Sequence, residues 1–96
     1  QADGIAMGAA KAVEGAGLAA QVVIGGYDGD MSALEYLSKC SGPFTVTATQ
    51  STRRMGTLAV DSALAVAAGQ KVEEKQVSEA VLTPCDKAGG YLTNHP

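Results

Sequence analysis

Apolar positions recur along this chain at two periods, and the alternation between them predicts its elements. Ile5, Ala9, Ala12, Val13 and Ala16 return every three or four residues, the spacing of one helical face. They predict a helix over residues 4–16, with Asp3 placed to cap its start and Gly15 and Gly17 marking its end. Residues 21–26 form a short, β-branched, nearly unbroken apolar run, the pattern of a strand covered on both faces. Ser32 and Glu35 have capping-box spacing ahead of Leu34, Leu37 and Cys40, so a second helix is expected, ending near Gly42. Pro43 can open a strand that continues through the β-prone residues 44–49, leaving Gln50 at its carboxyl end. Met55, Leu58, Ala59, Ser62 and Val66 lie on one stripe of a third helix over residues 52–68, closed by Gly69. A charged loop over 71–75 leads to a last strand at 77–83, stopped by Pro84. The tail with Gly89 and Gly90 has room for about one turn of helix.

Helices alternating with buried strands imply an α/β layered architecture of Rossmann-like type, with a parallel sheet flanked by helices. The sheet is incomplete: three strands and three Ala-rich helices leave apolar surface that needs cover from a partner or from further chain. Composition agrees with thin layers. The hydrophobic share is 46%, but with no Trp and one Phe it is carried by small side chains. A 96-residue chain buries only about 60–65% of its unfolded surface, so its stability margin is narrow.

Charge and cysteines exclude more than they assign. The net charge of −3, with seven basic residues scattered along the chain, offers no stripe for phosphates, so no nucleic-acid binding is expected of this segment. No run reaches the ~20 apolar residues of a spanning helix, so no membrane insertion is expected. The first residues lack a basic region followed by an apolar stretch, and no signal peptide is read there. Cys40 and Cys85 are too few for a disulfide framework; buried or free thiols are expected, with a Cys40–Cys85 bridge as the alternative.

The candidate chemistry centres on Asp28, in the run Gly25-Gly26-Tyr27-Asp28-Gly29. It follows a buried strand and precedes a helix, the position where open α/β sheets bind ligands beyond the carboxyl ends of their strands. A carboxylate there can accept two hydroxyl hydrogen bonds, which suits a polyol or a sugar. The competing reading is a turn Asp bonding its own backbone. Gln50 ends the next strand and can both donate and accept, so it would read a hydroxyl in either orientation; alone it reads equally as a surface amide. Arg53 and Arg54 occupy a helix's first turn, where positive charge is mildly unfavourable; solvated surface is the simpler reading, an anionic ligand the sharper one. No dinucleotide fingerprint or Walker lysine accompanies the glycines. His95 has no ligand partners at metal spacing, and no nucleophile elbow or carboxylate pair can be named. Asp28 as a phospho-acceptor lacks the companion acidic pair that Mg²⁺ needs. Neither enzyme, metal nor cofactor is expected.

Taken together, Asp3-Gly4-Ile5-Ala6-Met7-Gly8-Ala9-Ala10, Ala16-Gly17-Leu18, Val22-Val23-Ile24-Gly25-Gly26-Tyr27-Asp28-Gly29-Asp30, Thr47-Ala48-Thr49-Gln50 and Met55-Gly56-Thr57-Leu58-Ala59 resemble the type 1 periplasmic sugar-binding proteins, in order and spacing. That resemblance implies two Rossmann-like lobes joined by a hinge, a sugar held in the cleft, and docking on an ABC permease. It makes Asp28 the carboxylate of the family's Gly-Phe-Asp-Gly motif and Gln50 its cleft glutamine near the hinge, with Asp3 carried over as a third ligand-side residue. Tyr27 stands where the family usually has Phe. Ala2 stands where it commonly has a sugar-contacting Asn, which leaves the sugar's identity open.

By the same resemblance the chain corresponds to the last third of such a protein. Residues 1–50 would belong to the C-terminal lobe and carry ligand contacts. Residues 51–76 would cross the hinge into the N-terminal lobe, and 77–96 would return as a strand and tail. The expected function is sugar capture by an ABC importer receptor, in the periplasm or outside the cell, with a lipoprotein anchor compatible. The alternative is the cytoplasmic effector core of a lac-repressor-like regulator. Those regulators more often carry Gly-Phe-Asp-Asp, so Asp28-Gly29-Asp30 favours the receptor. A third reading is a ligand-free assembly module on the same fold.

Overall fold

The computed structural model describes residues 2–96. Its elements run α1 (Asp3–Gly15), β1 (Ile24–Asp28), α2 (Met31–Ser38), β2 (Phe44–Thr49), α3 (Thr52–Ala67), β3 (Val81–Pro84) and α4 (Cys85–Thr93). The sheet has the order β1-β2-β3. It is mixed rather than wholly parallel: β1 and β2 are parallel, with Asp28 opposite Thr49, and β3 runs antiparallel to β2. The excursion through α3 explains the reversal, because the chain leaves the carboxyl end of β2 and comes back to that same end.

The helices end where the sequence places their glycines. Gly17 and Gly69, at φ 72° and 78°, close α1 and α3. Behind each, the doubled bonds Leu18 N to Val13 O with Gly17 N to Glu14 O, and Gln70 N to Ala65 O with Gly69 N to Val66 O, form a Schellman motif. At the end of α2 the left-handed position falls to Cys40, at φ 49°, and Cys40 is disulfide-bonded to Cys85 with Cα atoms 5.2 Å apart. The expectation of free thiols is therefore corrected. Spacing alone could not show that α4 would bring Cys85 to the end of α2.

Helix starts depart from the expected caps. Asp3 does not cap α1: Ala2 is the cap residue, and no side chain caps it. Helix α2 starts at Met31 with Asp30 as its cap residue, so Ser32 lies inside the helix and closes no capping box. Both departures have one cause, since the Asp3 carboxylate is turned inward and holds the Asp30 N–H at 2.9 Å. Ser51 does cap α3, accepting from the Arg54 N–H at 3.2 Å.

Strand β1 begins three residues later than the apolar run suggests, leaving Val23 79% exposed. Within the strand Gly26 is the closely packed position, while Gly25 and Tyr27 face outward. A Cβ on Gly26 would meet the Asp3 carboxylate and lie 2.9 Å from the Phe44 ring. Strand β3 is shorter than expected, Val81–Pro84 in place of 77–83, because the residues before it follow α3 back to the sheet. Helix α4 extends over nine residues, through Gly89 and Gly90. Two helical glycines cost about 1 kcal/mol each relative to Ala. Packing offsets this: Ala88 is fully buried, and Tyr91 and Leu92 lie against the core.

The core consists of Ala6, Ala10, Ala33, Leu34, Leu37, Phe44 and Ala88, with Tyr36 stacked on Phe44 at 5.8 Å between ring centroids. Helix α3 stands apart from it and buries no residue. The radius of gyration is accordingly 16.9 Å, against about 12 Å for a compact chain of this length. The stripe expected on α3 faces the return segment in part: Met55, Leu58, Ala59 and Ser62 line a hollow of about 440 Å³ with Val72 and Gln76. Val60, Leu64 and Val66 remain open to solvent.

Candidate functional site

The parallel pairing of β1 and β2 puts Asp28 and the residue after Thr49 side by side at the carboxyl edge of the sheet. The Gln50 backbone N–H donates to the Asp28 carbonyl at 2.9 Å, and its side-chain Nε2 donates to Asp28 Oδ1 at 2.9 Å. The second bond orients both groups. It assigns the amide nitrogen to the carboxylate, leaving Asp28 Oδ2 and Gln50 Oε1 as acceptors without a partner in this pair.

The backbone that presents Asp28 is strained. Asp28 has φ 127° and Gly29 φ 79°, so two successive residues occupy positive φ. For a non-glycine residue this costs on the order of 1–3 kcal/mol, and it persists only where neighbouring groups over-determine it. Those neighbours are identifiable. Asp3 is wholly buried; its Oδ2 accepts from the N–H groups of Gly29 (2.8 Å) and Asp30 (2.9 Å), and its Oδ1 accepts from the Thr47 hydroxyl (2.6 Å). Three donors and no acceptor is the pattern an ionised carboxylate satisfies. Glycine is required at position 29 twice over, since a Cβ there would also run into the Thr49 side chain, 2.7 Å from its Cβ.

Asp28, Gly29, Asp30, Met31, Gln50, Thr52 and His95 line one open hollow of about 330 Å³. The Asp30 carboxyl is raised above the ordinary aspartate range, first by partial burial and then by repulsion from Asp3 and Asp28. The hollow is therefore rich in acceptors and tuned for donors such as hydroxyl groups. Among the described residues no cluster of three His, Cys, Asp or Glu side chains is arranged to hold a metal ion.

Of the residues singled out by sequence, Asp28 and Gln50 are brought together. Asp3 lies directly beneath them, with its carboxylate closed off from solvent. Arg53 and Arg54 are exposed and line a different hollow with Glu79. Thr52, Asp30 and Met31 were not singled out, although all adjoin residues that were. His95 belongs to the hollow for a reason no spacing conveys: its Nε2 lies 2.8 Å from the carbonyl oxygen of Gly29, 66 positions earlier in the chain.

Similarity to known proteins points the same way. The profile of the periplasmic binding protein domain matches residues 1–71. Among solved structures, an ABC transporter periplasmic solute binding protein from Actinobacillus succinogenes 130z, crystallised with bound D-allose, superposes with a TM-score of 0.83 at 30% sequence identity. The match covers 94% of this chain and 31% of that one, so the chain spans about a third of its length. No curated protein matches. Neither match favours the regulator reading.

Proposed function

The chain belongs to the periplasmic binding protein domain family, a family of solute-binding proteins, and from that premise we propose that it supplies one wall of a cleft for a neutral sugar or polyol. The observation that carries the reading is the Asp28–Gln50 pair at the carboxyl edge of β1 and β2. A carboxylate oxygen and an amide oxygen, held side by side by the bond from Gln50 Nε2 to Asp28 Oδ1, suit adjacent hydroxyl groups of a ring. An anionic ligand is disfavoured because Asp28 and Asp30 border the hollow and Asp3 lies beneath it.

The opposite wall lies on the other lobe of a two-lobed receptor. Residues 51–76 extend from the body as the crossing segment, and the bare face of α3 is where that lobe packs. Closure of the lobes traps the ligand, and the closed state is the one presented to an ABC permease. The Cys40–Cys85 disulfide suits an oxidising compartment such as the periplasm.

Isothermal titration of the full-length protein with a panel of neutral hexoses and pentoses, D-allose included, tests this. At least one is expected to bind, with Asp28→Asn weakening it by roughly 10- to 100-fold, the range for losing one charge-assisted hydrogen bond. Residues 1–96 alone are expected to bind far more weakly. Full affinity in Asp28→Asn, or in the isolated 96 residues, would overturn the proposal.

A further inference from the structure

We propose that His95 is a positioning residue that locks the Asp28 turn in its ligand-facing conformation; the ligand-affinity part of this rests on the sugar-cleft reading above. The Gly29 peptide groups are gripped on two sides. Asp3 Oδ2 holds the Gly29 N–H at 2.8 Å, and His95 Nε2 lies 2.8 Å from the Gly29 carbonyl oxygen. A carbonyl only accepts, so His95 is the donor through Nε2–H. Between these two bonds sits the residue at φ 79°, preceded by Asp28 at φ 127°. Asp3 Oδ2 also holds the Asp30 N–H of the following peptide at 2.9 Å, and the His95 bond to the carbonyl of that same peptide opposes its rotation from the other side. Two grips fix both ends of Gly29 and with it the direction of the Asp28 carboxylate.

The segment after α4 is itself held at the site. The Ser51 hydroxyl donates to the Pro96 carbonyl, and the Tyr91 ring lies against His95 at 6.5 Å between centroids. Ser51 directly follows Gln50, so this segment joins the ends of both strands that carry the pair. Helix α4 is in turn tied to α2 by the Cys40–Cys85 bridge. His95 is thus carried on an anchored element, as a residue that sets a geometry must be.

The donor role makes a distinctive prediction about pH. Nε2–H is present in both the neutral and the charged imidazole, so the grip persists across the range in which histidines ordinarily change charge. A histidine accepting a ligand hydroxyl through Nδ1 would behave oppositely and lose that contact on protonation. The carboxylates bordering the hollow are Asp28 and Asp30, with Asp3 beneath; the Asp30 carboxyl is raised by partial burial and by repulsion from Asp3 and Asp28.

The test compares the full-length protein with His95→Ala and His95→Gln by titration with whichever panel sugar binds, and by amide hydrogen exchange at Gly29 and Asp30. Loss of one hydrogen bond depopulates the competent turn, so His95→Ala is expected to bind about 5- to 10-fold more weakly with faster exchange at both amides. His95→Gln, whose amide can replace the Nε2 donor, is expected to restore most of both. Affinity of the unsubstituted protein is expected to stay level between about pH 6 and 8. Unchanged exchange in His95→Ala, or wild-type affinity falling as pH falls through this range, would overturn the proposal. Should no sugar bind while the exchange effect and its rescue appear, the lock stands and the sugar reading fails.

Discussion

Substituting Asp3 measures how much of this fold depends on one buried carboxylate. Its oxygens accept from Gly29 N–H, Asp30 N–H and the Thr47 hydroxyl at 2.8, 2.9 and 2.6 Å, and the residue is wholly shielded from solvent. Asp3→Ala strands the Gly29 and Thr47 donors in the interior; Asp30 N–H is partly buried and can reach water. Each stranded buried donor costs roughly 1–3 kcal/mol, so the substitution should destabilise by about 3–5 kcal/mol. Asp3→Asn separates the contributions. Its amide oxygen can keep the two backbone bonds and its NH₂ can donate to a rotated Thr47 hydroxyl, so only charge assistance is lost, about 1–2 kcal/mol. Guanidinium unfolding of the full-length protein, followed by circular dichroism with the slope checked for constancy, gives both values. A cost below about 1 kcal/mol for Asp3→Ala, or equal costs for the two variants, would refute the account.

Gly29→Ala places a Cβ at φ 79° and against Thr49; a loss of at least about 2 kcal/mol in the same unfolding assay is expected, with ligand binding reduced more than by any change at Tyr27. Reducing Cys40–Cys85, which are 45 positions apart, releases loop entropy equivalent to about 4 kcal/mol at most, so thermal unfolding with reductant should fall well below that without it, and an unchanged midpoint would show that α4 does not depend on the bridge. The Tyr36 phenol, hydrogen-bonded to Glu14 at 2.5 Å, is pushed up to about 12 by burial and by that carboxylate. Because the folded state keeps this proton above the unfolded value of 10.0, its contribution is complete below that value and is lost as pH rises through the folded one. Ultraviolet titration should find one of the three tyrosines ionising late, and Tyr36→Phe should cost about 1 kcal/mol near neutral pH while flattening the alkaline decline in stability.

The periodicities alone determined the order of elements through α3, the glycine stops at Gly17 and Gly69 and the extent of β2, and they placed Asp28 and Gln50 at strand ends, because each depends on local spacing; the resemblance is what joined those two as a candidate site. What the tertiary structure decided has a common character: it depends on residues far apart in sequence meeting at one place. β1 was displaced toward its glycines because Asp3 and Phe44 press on Gly26. β3 was reversed because α3 leaves and re-enters at one edge of the sheet. α4 was prolonged through two glycines by packing on α2, and with that packing came the Cys40–Cys85 bridge. Asp3 read as a helix cap and is instead the buried support of a turn 26 positions away; His95 read as an isolated tail residue and lies on the other side of that turn. Sequence located the carboxylate that faces the hollow, since a motif is local. Only the fold could show what holds it there, since strained backbone is fixed by contacts that no spacing records.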